Sequence, residues 1–277
     1  MRPFASFLKP LLVPARLYRH RYLILQLTRR ELASRYRGSY LGAFWTVLTP
    51  LVMLGVYTFI FSVVFQARWG QGPAEVSDKF GYALNLYMGM LTFNIFGETA
   101  NASASVIVHN ANYVKRALFP LEVLPVSTLL GVLVNAFMGL CVLVAGVLIA
   151  RHGLFWTAIM LPVVWAEVAL FSLGFGYFLA SLGVFVRDVG SAVGLVTTML
   201  FFLSPIFYPV EAVPEQFRVM ISVNPLALYI EQARQVMLQG AVPSLASLAC
   251  GFALAGAAFL LGFAWFSRTR KYFSDVI

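Results

Sequence analysis

Residues 109–125 read HNANYVKRALFPLEVLP, and the layout of the whole chain follows from how this stretch is read. It interrupts two long apolar runs with Asn110, Asn112, Lys115, Arg116 and Glu122, and it carries Pro120 and Pro125. Lys and Arg cost roughly 2.5–3.5 kcal/mol each at a bilayer centre, and irregular backbone there has no water to bond to. The stretch therefore surfaces at one face of a membrane as a short, structured hairpin tip. Tyr113, Leu118 and Phe119 are more apolar than a solvated linker needs. A partner seated against the tip would account for them.

The composition agrees. Of 277 residues, 60% are hydrophobic and 11% charged, with a mean hydropathy of +0.82. Soluble domains carry about 25% charged residues, so the chain reads as an integral membrane protein of the helical class. The net charge of +9 could suggest nucleic acid. Its placement instead fits topology and anionic headgroups. Cys141 and Cys250 fall within apolar runs and imply no disulfide framework. No short apolar core with a small-residue cleavage site stands near the N-terminus, so no cleavable signal is expected.

Residues 1–37 hold nine of the twenty basic residues. Tyr18, Tyr22, Leu25, Leu32 and Tyr36 recur there at helical spacing, with Arg19, Arg30 and Arg37 to one side. This predicts an amphipathic helix in the headgroup layer, with Arg29 inside the apolar stripe and obliged to snorkel. Six spans are expected, over residues 38–67, 80–105, 123–150, 154–185, 189–207 and 242–266, with the tip at 106–122. Pro209, Pro214 and Pro225 break up residues 208–241, whose apolar runs are too short to cross. That region predicts one or two short helices re-entering the outer leaflet, the second bearing Glu231 and Arg234 near its centre. Six spans put both termini on the tip's side of the membrane. Fifteen of the twenty basic residues lie on that side, which the positive-inside rule assigns to the cytoplasm.

Several chemistries are missing. No glycine precedes a lysine, so there is no Walker-type phosphate loop. The aspartates Asp78, Asp188 and Asp275 are scattered, and His20, His109 and His152 lack metal-ligand spacing. No catalytic centre or metal site is expected. Glu98 and Glu167 fall inside spans, where they read either as a proton relay or as carboxyls bonded to polar neighbours. Trp45, Tyr57, Phe202 and Tyr208 are candidates for lining a path, because aromatic faces stack on the C–H faces of sugars.

Four stretches together carry a resemblance. They are RELASRYRGSYLGAFWTVLTPL (30–51), NYVKRALFPLEVLP (112–125), VRDVGSAVGLVTTMLFFLSPIFYP (186–209) and NPLALYIEQARQVMLQG (224–240). In this order they resemble the permease subunits of ABC type-2 exporters of polysaccharides such as O-antigen, capsule or teichoic acid. The resemblance implies two permease copies in a bacterial inner membrane and two separate nucleotide-binding subunits that carry ATP and magnesium, with no cofactor on this chain. It makes Asn110, Asn112, Tyr113, Lys115, Arg116, Leu118 and Phe119 the coupling segment. It makes the N-terminal helix a gate whose Arg29, Arg30, Arg35 and Arg37 could hold the diphosphate of a lipid-linked glycan. Three other readings stay open: a drug or small-lipid exporter of the same fold, a proton-coupled transporter using Glu98 and Glu167, and a membrane-embedded glycosyltransferase.

Overall fold

The computed structural model describes residues 17–36, 44–64, 79–115 and 119–277, and helix is the only regular secondary structure among them. α1 runs over Arg21–Tyr36. α2 covers Phe44–Thr58 and widens into a π-helical turn at Phe59–Val64. α3 is Lys79–His109 and α4 a single turn, Ala111–Val114. α5 is Val123–Arg151. A 3₁₀ turn at Trp156–Met160 then leads into α6, Leu161–Phe185. After α7, Val189–Leu203, come the short helices α8, Glu215–Ser222, and α9, Pro225–Arg234, the latter ending in a π turn at Gln235–Gln239. α10 is Leu245–Thr269 and α11 is Phe273–Val276.

Three apolar runs among the described residues are long enough to cross a bilayer: Val123–Ala150, Trp156–Phe185 and Leu245–Val276, of 28, 30 and 32 residues. At 1.5 Å per residue each exceeds the roughly 30 Å of hydrocarbon. α7 is apolar but has only 15 residues, about 22 Å of helix. The run expected over 189–207 stops being helical at Leu203 because Pro205 has no N–H and pushes Ser204 out of the helical region, to ψ 149°.

α6 is the centre of the bundle and packs on α3 and α10. Glycines let the backbones approach closely. A Cβ at Gly183 would meet the Ala104 carbonyl oxygen at 1.8 Å, and one at Gly262 would meet that of Gly174 at 1.9 Å. Close backbone packing of this kind replaces the hydrophobic drive that is lost between helices in lipid. Tyr177 fills the centre of the seam, its ring 5.2 Å from those of Phe263 and Phe266. The outward faces of α7 and α10 present Leu195, Met199, Leu260 and Leu261, apolar side chains suited to a hydrocarbon solvent.

Where helices break between Leu203 and Pro225, side chains supply the missing donors. Tyr208 donates its hydroxyl to the carbonyls of Phe202 (3.2 Å) and Leu203 (3.3 Å), capping α7. Burial pushes this phenol above the usual tyrosine range, so it stays a donor at neutral pH. Tyr82 reaches the Phe207 carbonyl at 2.8 Å. Arg234, wholly buried, reaches Pro205 and Ile206 from α9. Asn224 caps α9 by accepting from the Leu226 N–H at 3.0 Å, with Pro225 at the first helical position.

The close seam gives a matched pair of tests. Gly262→Ala puts a methyl against the Gly174 carbonyl, whereas nothing lies within 4 Å of a Cβ at Gly256. We expect Gly262→Ala to destabilise the detergent-solubilised chain by about 1–3 kcal/mol and Gly256→Ala to leave its thermal melt unchanged. Equal melts for the two variants would refute the close packing.

Candidate functional site at the hairpin tip

The tip is built from α3's end inwards. Asn110 breaks the helix after His109 and turns its amide back to the Val106 carbonyl (2.9 Å). One helical turn, α4, then presents Asn112 and Lys115 outward. Tyr113 folds under and stacks flat on Phe119, with ring centroids 4.3 Å apart and planes 6° from parallel. The apolar excess noted in this stretch is thus partly consumed within the tip, where the two rings close the loop on itself. Arg37, Arg116 and Leu118 lie outside the described residues, as does the side chain of Arg35.

The Tyr113 hydroxyl accepts a 2.7 Å hydrogen bond from Nη1 of Arg30 on α1. Two groups of residues that are far apart in sequence therefore meet. α1 lies along α5: Thr28 bonds its own Ile24 carbonyl at 3.0 Å and approaches that of Ser127 at 3.4 Å, while Ile24 is buried. Tyr18, Tyr22, Leu25 and Arg29 form the opposite, exposed face. Arg29 thus shares the exposed face of the tyrosines, and Arg30 points to the tip. Between α1, the end of α3 and the start of α5 lies a cleft of about 480 Å³. Arg30, Glu31, His109, Asn110, Ser105 and Ser127 are among its lining residues. The Arg30 guanidinium with hydroxyl and amide groups is suited to phosphate oxygens and sugar hydroxyls, while the Glu31 carboxylate in the same cleft accepts from sugar hydroxyls and repels phosphate.

A second tie anchors the far side of the tip. Glu122, buried before α5, accepts from Arg270 Nη1 at 2.8 Å, while its backbone carbonyl accepts from the Tyr177 hydroxyl at 2.9 Å. The hydroxyls of Ser181 and Thr269 meet at 2.6 Å close by in sequence. Sequence reasoning gave Glu122 no part beyond interrupting the apolar run, and it did not flag Tyr177. A carboxylate between two prolines in an otherwise basic tip, with a basic tail still to be placed, was the available signal.

The four aromatic candidates separate. Tyr57 and Phe202 converge on Phe207, at 5.1 Å edge-on and 5.5 Å stacked, and Tyr208 caps the same helix end. Phe93, which the sequence did not flag, joins them through Phe201 at 5.2 Å. Trp45, about half exposed, sits twelve residues before Tyr57 on α2, some 18 Å away along the axis. Glu98 is half-buried on α3. Glu167 is fully buried on α6, against Gly251.

A bundle of apolar, span-length helices around glycine seams, with a polar tip tied to two neighbouring helices, defines a polytopic helical membrane protein. The chain belongs to the ABC-2 type transporter family, whose model matches residues 22–238. It is 29% identical over 230 residues to the O-antigen export system permease protein RfbA of Myxococcus xanthus, covering 82% of this chain and 84% of that one. It is 26% identical over 261 residues to a Klebsiella pneumoniae protein of the same name, covering 92% and 95%. It is 22% identical over 226 residues to the polysialic acid transport protein KpsM of Escherichia coli, covering 79% and 82%.

The Glu122–Arg270 tie makes its own prediction. Arg270→Gln strands a buried carboxylate and is expected to lower stability by roughly 1–3 kcal/mol. Adding Glu122→Gln should recover at least half of that loss in thermal melts of the purified chain. A double variant no better than the single one would show that the pair is not coupled.

Proposed function

We propose that this chain is the permease subunit of an ATP-driven exporter that moves a lipid-linked, O-antigen-like polysaccharide outward across a bacterial inner membrane. The observation that carries the reading is the Arg30–Tyr113 bond within a chain of this family: it joins the tip to α1, the helix this reading takes as the gate. The relatives' names, which give roles in O-antigen export and polysialic acid transport, support the substrate class.

In this reading two copies face each other and two nucleotide-binding subunits, which hold ATP and magnesium, dock beneath. Both termini and the tip lie in the cytoplasm, with six crossings between them and α8 and α9 re-entering from the outer side. Asn110, Asn112, Tyr113, Lys115, Arg116, Leu118 and Phe119 receive the push of the nucleotide-binding subunit. The Arg30–Tyr113 bond passes it to α1, and the Glu122–Arg270 bond passes it to α5 and α10. The glycan's diphosphate pairs with guanidinium among Arg29, Arg30, Arg35 and Arg37, of which Arg30 lines the cleft. Sugars then pass Tyr57, Phe202 and Tyr208, whose ring faces hold them weakly and without demand for sequence.

Two experiments test this. Cells lacking the chain are expected to accumulate lipid-linked glycan inside and to lose surface polysaccharide; an unchanged surface with altered drug tolerance would favour a drug exporter of the same fold. Charge reversal by Lys115→Glu with Arg116→Glu is expected to lower substrate-stimulated ATP hydrolysis at least tenfold in the purified complex. If the partner stays bound and its hydrolysis stays responsive, the tip is not the coupling element.

A further inference from the structure

α9 carries a cation that export by the mechanism above does not use. Arg234 has no accessible surface, and the Glu231 carboxylate 3.9 Å away is over a third exposed. All three nitrogens of the guanidinium donate to backbone. Nε donates to the Asn85 carbonyl at 3.1 Å, Nη1 to that of Pro205 at 2.5 Å and Nη2 to that of Ile206 at 3.0 Å. Pro205 and Ile206 follow the end of α7, where carbonyls have no helical partner and the helix dipole is negative. Gly89 on α3 leaves the necessary space, since a Cβ there would lie 2.7 Å from Nη2. On its other side α9 is bonded to α10: Tyr229 donates to the Gly251 carbonyl at 3.1 Å and Gln232 to the Ser247 hydroxyl at 2.9 Å. α8, by contrast, buries only Ile221 and borders an apolar cavity of about 300 Å³ lined by Leu203, Tyr208, Phe217 and Met220 among others.

We propose that Arg234 is the positioning residue of the outer segment: it pins α9 to α3 and to the broken end of α7, and so fixes the base from which α8 hangs over the cavity. The role needs a fork, because three carbonyls from two elements have to be met at once. An ammonium on a flexible stem does not present that geometry. That α8 and α9 border the exit rests on the function proposed above; the pin itself does not.

The test is a distance measurement on the whole chain in lipid nanodiscs, with Cys141 and Cys250 replaced by Ala. Spin labels are placed on the exposed positions Val196 of α7 and Val219 of α8. With Arg234 present a narrow distribution is expected. Arg234→Gln and Arg234→Lys should each at least double its width well below their melting temperatures, while Glu231→Gln leaves it unchanged. A lowered melting temperature with an unchanged width would assign Arg234 a purely structural part and overturn the proposal, as would a Lys variant as narrow as the parent. If neither Arg234 variant accumulates, Gly89→Ala carries the test. Its methyl would lie 2.7 Å from Nη2 and push the guanidinium off its carbonyls, and it should broaden the distribution in the same direction; an unchanged width overturns the proposal. The reading needs neither substrate nor ATPase, so its failure is distinct from failure of the export reading.

Discussion

A carbonyl at membrane depth that loses its helical partner has to find another donor, because hydrocarbon offers none. That constraint explains more of this structure than apolar packing does. Helices across the bilayer satisfy themselves, so the informative residues gather where helices stop. Tyr208 meets the last carbonyls of α7, at Phe202 and Leu203; beyond them the chain runs irregularly through buried positions, and Arg234 meets the carbonyls of Pro205 and Ile206 and Tyr82 that of Phe207. A buried arginine looks expensive when read alone. Set against the orphaned end of α7, it is the group that makes the break tolerable.

The same logic operates at the tip with a different outcome. There the chain leaves α3 at Asn110, and the local bonds leave Asn112 and Lys115 outward-facing. The tip is nevertheless held on two sides, by Arg30 through Tyr113 and by Arg270 through Glu122. A force applied to it would reach α1 and the C-terminal end of α10 rather than dissipate in a loose loop. Stacking of Tyr113 on Phe119 stiffens the connection between these anchors. Tying the tip to the helix beside the cleft is what a transmission element requires.

Much of this was legible in the chain itself. Charge interruption marked the tip, the prolines marked the region broken into short helices, and the uncharged runs marked the long helices. Arg30 and Tyr113 were each singled out, but no periodicity could say that residues 83 positions apart share a hydrogen bond. The span read over 189–207 runs four residues past the helical end at Leu203, because Ile206 and Phe207 continue the apolar pattern while the backbone has already turned at Ser204. Of the aromatic set, composition could not separate Trp45, which stands apart, from Tyr57 and Phe202, which meet at Phe207. Glu122 was passed over since its partner lies 148 residues away, in a tail read only as topology-setting charge. Pairing across the bundle is three-dimensional information, and it is what the pattern of one sequence lacks.

The account stands or falls on the tip facing the cytoplasm, where a separate engine could grip it. A cysteine placed at the exposed Asn112, in a chain whose Cys141 and Cys250 are replaced by Ala, reports this directly. With a membrane-impermeant thiol reagent, the account predicts no labelling in intact spheroplasts and full labelling once the membrane is opened. Labelling of Asn112→Cys in intact spheroplasts would place the tip outside and contradict the account.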